Sequence, residues 1–452
     1  MFDKSIYVQR RKRLSELVGT GQGGTAQVDS GIVLMVGHDE SPMNYADNPY
    51  AFRQDSSFLY YFGLDEPGLI ALIDLDEGRE IVFGNDRTVN EVIWMGPTAS
   101  VQQKCERVGV DQSAPLDQLP PIIDEAIRQG RRIHFLPPSR PEVVMKLAAL
   151  LGLQVDVVAD YVSEPLTRAV VACRSVKAPE EIEEIQKAVD VCAEMQVAAM
   201  RLSKPGVCER EVAGAIEGIA IARGGRLSFP TIFSIHGETL HNHHHDNVMQ
   251  QGHMAINDSG AETALHYAGD ITRTIPVGGR FSSRQKDVYQ IVFEAQSRAI
   301  EAVRPGVEFR DVHTLACEIL AAGLKDLGLI TGDIKEAVRA GAHALFFQCG
   351  LGHMMGLDVH DMEGLGEDYV GYTDTIRRNP MFGFCSLRLG KALEPNHVIT
   401  VEPGLYFIPQ LIDQWRAEQQ HTEFIDYDAA EKFKDFGGIR LEDDLLVTDD
   451  GY

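Results

Sequence analysis

Three things are scarce in this sequence, and each scarcity excludes a class. Its seven cysteines (Cys105, Cys173, Cys192, Cys208, Cys317, Cys349 and Cys385) form no C-x-x-C pair and no even framework. That excludes a disulfide scaffold and argues against a structural zinc held by thiolates. No stretch approaches the roughly eighteen consecutive apolar residues of a spanning helix, and the opening MFDKSIYVQRRKRLSEL lacks the apolar core of a secretory leader. The expectation is a cytoplasmic protein without a membrane anchor. Positive charge is also in deficit, since 42 Lys and Arg face 67 Asp and Glu for a formal net charge of −25. Nucleic acid and anionic membranes both demand a positive face, so neither is expected as a partner; small molecules, peptides or cations are.

What is present is ordinary in bulk and specific in detail. The 452 residues, 44% hydrophobic and 24% charged, suit a globular chain with room for two or three domains. In the first third, short apolar runs (GIVLMVG, LIALIDL, EIVFGN, RIHFLP, LQVDVVAD) alternate with helix-like KCERVG and PEVVMKLAALLG, the pattern of an α/β domain. Near Arg174 the character changes. SVKAPEEIEEIQKAVDVCAEMQVAAMRLSKPG opens with a proline and acidic residues and then shows apolar positions at helical spacing, so it reads as one long amphipathic helix. A boundary near residue 172 is expected, dividing the chain into 1–172 and 173–452, with an α/β (α+β) fold class.

The second part carries a duplication. KPGVCEREV begins at Lys204 and RPGVEFRDV at Arg304, and each string follows one helical segment and precedes another (AGAIEGIAIARGG and HTLACEILAAGLKDLG). Two copies are too few for a solenoid. A two-fold repeated half with a site between the halves is preferred over a chance recurrence of a helix-turn-helix.

Four stretches could carry chemistry. GHMAINDSGAETALHYAGDITRTIPV reads as a hairpin that would bring Asp258 beside Asp270, although either could be a turn residue. PNHVITVEPGLYF runs a strand into Glu402, stopped by Pro403 and Gly404. GGIRLEDDLLV alternates so that Arg440, Glu442 and Asp444 share a face, which on a closing strand is ordinarily exposed. FFQCGLGHMMGLDVHD holds His353 and His360 among glycines, either a metal and proton-transfer site or a bend near a core. Together, four carboxylates and one imidazole suit a pair of divalent ions such as Mn²⁺, Co²⁺ or Zn²⁺. Of the remaining histidines, His243 to His245 read as a loop at the site mouth and not as ligands. His38, His134 and His313 read as surface or satisfied core residues, and Met354 and Met355 as packing.

The order Asp, Asp, His, Glu, Glu in the contexts NDSG…GDITRT, GLGHMMGLDVHD, VEPG and IRLEDD resembles the M24 metallopeptidases, in particular the aminopeptidase P and prolidase branch. NPYAFRQDSSFLYYFGLDEP and VIWMGP look like the branch's N-terminal non-catalytic domain, and 173–452 looks like its pita-bread catalytic fold. The resemblance implies two divalent metals, Mn²⁺ first, held by Asp258, Asp270, His353, Glu402 and Glu442. It further implies Glu402 as proton acceptor, His241 and His360 beside the scissile bond, and Arg440 and Tyr406 holding substrate or the catalytic shell. The activity implied is removal of the first residue from peptides with proline second. An Xaa-Pro dipeptidase is the near alternative; a metal-free creatinase-like hydrolase and an impaired binding or scaffold relative are further ones. A homodimer or tetramer through the N-terminal domain is also implied. Cys349 departs from the pattern: it stands in a QCG context where the family usually has histidine in PHG, and it is assigned to the substrate-binding wall.

Overall fold

The computed structural model describes residues 1–20 and 30–452. It divides into two compact units, Met1–Arg174 with Gly364–Tyr369, and Ser175–Glu363 with Val370–Tyr452.

The first unit is built on a mixed five-stranded sheet. In chain order its strands are β1 (Ile32–Val36), β2 (Ile70–Asp74), β3 (Arg79–Phe83), β4 (Gln112–Ala114) and β5 (Ile133–His134). Their order in the sheet is β4-β3-β2-β1-β5, with β1, β2 and β3 antiparallel and β4 and β5 added in parallel at the edges. Ile32, Leu34, Ile70, Leu72, Ile81 and Phe83 alternate onto one face and pack beneath the helices Leu119–Arg128 and Pro141–Leu151. LQVDVVAD differs from the strand its alternation suggests. Val155–Tyr161 is a 3₁₀ helix with only Val158 buried, because alternation makes a strand only where a neighbouring strand can take its hydrogen bonds.

The second unit contains the duplication. Helix Pro179–Leu202, with its proline at the N-terminus, packs on Glu209–Ala222; helix Ser283–Ala302 packs likewise on Phe309–Asp326. The connecting turns match atom for atom. Gly206 and Gly306 have φ of 89° and 82°, the left-handed region that a side chain disfavours. Gly206 N donates to Met249 O and Glu209 N to Asn247 O; Gly306 N donates to Leu393 O and Phe309 N to Lys391 O. Each turn thus pairs with an extended segment of its own half.

Short sheets carry the functional loops. Strands β6 (Arg226–Leu227), β7 (Ile232–Ser234), β8 (Met254–Ser259), β9 (Ala261–Glu262) and β10 (Ile271–Pro276) belong to the first half. Strands β11 (Val398–Val401), β12 (Gly404–Tyr406), β13 (Gly438–Arg440) and β14 (Asp443–Leu446) belong to the second. The stretch GGIRLEDDLLV is therefore two strands: β13 pairs with β12 and β14 with β11, and Leu441 and Glu442 lie at the break. Among the described residues no helix is long and apolar enough to cross a membrane.

Candidate active site

Strands β8 and β10 form the expected hairpin, with Asp258 opposite Thr272 and Asp270 just ahead of β10. Residues 351–355 run beside β11, where Glu402 N donates to Leu351 O, Thr400 N to His353 O and Met355 N to Val398 O. This contact requires a glycine at 352, because a Cβ there would lie 2.0 Å from the Thr400 carbonyl oxygen. The glycine-rich bend and the ligand site are thus one feature: the bend brings His353 level with Glu402. His353 Nε2 lies 3.6 Å from Glu402 Oε1 and 3.7 Å from Asp270 Oδ2. One donor atom each from Asp270, His353 and Glu442 falls within 4.8 Å of the others.

On the face expected to be exposed on the closing strand, Arg440 and Glu442 are instead buried, 4% and 2% accessible, while Asp444 is half-buried. Their partners explain the burial. Arg440 Nη2 donates to Asp258 Oδ2 (2.5 Å), Nη1 to Tyr406 Oη (3.0 Å) and Nε to Thr272 Oγ1 (3.3 Å), and Thr272 Oγ1 donates to Glu442 Oε2 (2.5 Å). Asp270 N donates to Asp444 Oδ2 (2.9 Å).

These carboxylates are poised for a cation. Burial pushes Asp270, Glu402 and Glu442 up from the usual range, and they and Asp258 add to the rise by mutual repulsion. Asp258 Oδ1 and Asp270 Oδ1 are buried without a hydrogen-bond partner among the described residues. Burial, and then the neighbouring His360, hold His353 well below the ordinary imidazole range, so it is neutral. Its Nδ1–H donates to Met354 O (3.0 Å), which leaves the Nε2 lone pair facing two carboxylate oxygens. Lone pairs aimed at one another are relieved by a shared proton or by a cation between them, and oxygen-rich ligands with one imidazole fit a borderline-hard divalent ion.

Around this floor lies a cavity of about 520 Å³. His241, His360, Cys349, Tyr406, Arg440, Asp258, Asp270, His353, Glu402 and Glu442 all line it, so the residues that the resemblance assigns to metal and substrate lie together there. His360 Nδ1 pairs with Glu363 Oε2 (2.5 Å), and its ring lies edge-on to that of His353 at 4.3 Å. Burial, followed by the field of Arg440, lowers the pKa of His241. The Cys349 thiol is pushed up to about 12 by burial and by Glu402, and it points to Tyr406 Oη at 3.9 Å. It is a neutral wall. Of the histidine tract only His243 reaches the cavity; His245 Nδ1 donates to Phe233 O.

Sequence reasoning missed several contributors. Thr272 and Thr400 follow and precede a ligand by two residues in strand-like sequence, a same-face signal that was available. Arg388 lines the cavity beside Glu363 (3.3 Å). Lys177 forms a buried pair with Asp361 (2.8 Å, each side chain 1% accessible), fixing the loop that carries His360. No local pattern announces these two.

Residues 183–449 match metallopeptidase family M24, and residues 7–134 match the aminopeptidase P N-terminal domain. The chain belongs to metallopeptidase family M24. This M24 member is 30% identical to a Homo sapiens Xaa-Pro dipeptidase, over 99% of this chain and 90% of that protein. It is 31% identical to a probable Xaa-Pro aminopeptidase of Uncinocarpus reesii, over 98% and 90%. It superposes on zinc-substituted Escherichia coli aminopeptidase P in complex with product with a TM-score of 0.78 and 28% identity, covering 100% of this chain and 94% of the other.

Proposed function

We propose that this chain is a metal-dependent hydrolase that releases the first residue of peptides whose second residue is proline. The observation that carries it is the neutral His353, its Nε2 lone pair turned toward Asp270 and Glu402 on the floor of an open cavity. Asp258, Asp270, His353, Glu402 and Glu442 would hold two divalent ions, Mn²⁺ first, with Co²⁺ and Zn²⁺ compatible. Such ions polarise a scissile carbonyl and lower the pKa of water.

The chain's own residues do the rest. Glu402, a carboxylate whose pKa is raised by burial, receives the proton of the attacking water. Arg440, tied to Asp258 and Tyr406, holds the floor rigid, its positive charge kept by Tyr406, Asp258 and Glu442 against the cost of burial. His241 steadies the developing oxyanion from the cavity wall. His360, fixed through Nδ1 by Glu363, protonates the leaving nitrogen. A proline nitrogen has no N–H before cleavage and must acquire a proton to depart, which is why a positioned donor is needed.

A dipeptidase reading has one observation in its favour: Arg388, a cation in the cavity wall that could pair with the free carboxylate of an Xaa-Pro dipeptide. An impaired scaffold has less, since Cys349 displaces none of the five ligands. A homodimer or tetramer is supported by helix Val89–Met95, which buries no residue and leaves Val89, Ile93 and Trp94 more than 70% accessible. Light scattering of the purified protein, with Trp94→Asp as comparison, tests it: a wild-type monomer ends that reading.

The functional test is to load metal-free protein with Mn²⁺, count ions per chain, and compare Xaa-Pro-Xaa tripeptides, Xaa-Pro dipeptides and a non-proline control. Two ions and proline-dependent release of the first residue are expected. Equal cleavage of the control would sink the proposal.

A further inference from the structure

The floor and the rim of the cavity differ in kind. Asp258, Asp270, His353, Glu442 and Arg440 on the floor are each at most 8% accessible, whereas Phe382 on the rim is 46% accessible. An exposed phenylalanine on a mobile loop would carry no meaning, but this one is held. Phe384 N and Cys385 N both donate to Met381 O (2.9 and 2.8 Å), Met381 N donates to Asn379 Oδ1 (3.0 Å), and Arg378 Nη1 donates to Cys385 O (2.9 Å). Gly383 sits against the core, where a Cβ would lie 2.5 Å from Ala344 Cβ. Phe384 plugs the turn into the interior, edge-on to His313 (5.4 Å) and His343 (5.0 Å). The turn thus buries one aromatic as an anchor and presents the other, two residues earlier, at the cavity mouth. Phe229 and Leu240, both half-buried, line the same cavity.

We propose that Phe382 is a specificity-determining residue that receives the side chain of the substrate's third residue, so that apolar third residues are preferred. This rests on the function proposed above. An exopeptidase takes the chain terminus into its closed end, bond cleavage belongs to the carboxylate floor, and the rest of the peptide must leave through the mouth. The residue after proline therefore passes the rim, where it meets a fixed aromatic ring and two further apolar side chains. Preference for an apolar third residue also separates an aminopeptidase from a strict dipeptidase, which has no third residue to read.

The experiment measures kcat and KM of the Mn²⁺-loaded enzyme for Ala-Pro, Ala-Pro-Gly, Ala-Pro-Leu, Ala-Pro-Phe and Ala-Pro-Asp, with wild type, Phe382→Ala and Phe382→Leu. Wild type is expected to favour Leu and Phe over Gly by about tenfold in kcat/KM, the scale of discrimination by one apolar contact, chiefly through KM. Phe382→Ala should flatten that ratio to about one while Ala-Pro-Gly turnover stays within about twofold, and Phe382→Leu should keep most of it. Ala-Pro-Gly turnover also reports that each variant is folded. An unchanged ratio in Phe382→Ala, or wild-type cleavage of Ala-Pro alone, overturns the proposal while leaving Xaa-Pro hydrolysis standing. If no substrate is cleaved, the functional reading falls. Calorimetry with Pro-Leu and Pro-Gly then decides the rim separately: tighter Pro-Leu binding lost in Phe382→Ala supports it, and equal binding overturns it.

Discussion

The two copies of the helix-turn-helix share a backbone and differ in what they supply. Both turns place a left-handed glycine after proline and bond it to an extended segment of their own half. The first half adds the hairpin of β8 and β10 to this frame and contributes Asp258 and Asp270, with His241 in the cavity wall. The second adds the bend at Gly352, the strand end at Glu402 and the broken closing strand, and contributes His353, Glu402, Arg440 and Glu442. Their helices diverge too: one hundred residues after Ala213 stands His313, fully buried beside Phe347 and Phe384. Duplication preserved the parts that satisfy backbone hydrogen bonds and left the side chains free to divide the chemistry.

The largest expected effect breaks the symmetry at its catalytic end. Glu402→Gln, which removes a proton acceptor without changing shape, should lower kcat by about 10²–10⁴-fold while circular dichroism and melting stay near wild type; activity within tenfold would remove Glu402 from proton transfer. Next is the buried pair that ties the start of the first half to the second. Lys177→Met removes the cation beside the buried Asp361 carboxyl group and should cost about 3–5 kcal/mol in denaturant unfolding, whereas Lys177→Met with Asp361→Leu should recover much of it. Additive losses would show that the two do not act as a pair.

The third prediction uses pH. Burial holds His313 down to about 4, against about 6.5 in an unfolded chain. The unfolded state therefore takes up a proton first, so the contribution of His313 to stability is full above about pH 6.5, falls by about 3 kcal/mol on the way down to about pH 4, and then levels. His313→Gln should flatten that slope, measured by urea unfolding across the range; an unchanged slope would assign it to other groups. The smallest effect sharpens the comparison itself. Gly206→Ala and Gly306→Ala put a Cβ on left-handed residues with open space around them, so each should cost about 1–2 kcal/mol, equally in the two halves, with kcat unchanged. A large difference between them would mean that the turns are not equivalent.

The sequence by itself determined the helices, the repeated turn and the identity of the residues on the floor. Those signals are local: proline before an acidic first turn, glycine after proline, and carboxylates and histidine at the ends of apolar runs. Tertiary structure decided what depends on a distant partner. Nothing in GGIRLEDDLLV says that Arg440 and Glu442 on its charged face are buried, because the groups that make burial tolerable, Asp258, Thr272 and Tyr406, are 34 to 182 residues away. The same holds for Lys177, whose partner lies 184 residues on, and for Arg388 and Phe382, which acquire meaning only where the cavity opens. LQVDVVAD alternates like a strand yet curls into a 3₁₀ helix, since an alternating segment becomes a strand only when another edge accepts it. Residue type fixes which chemistry is possible; desolvation and long-range pairing fix where it happens.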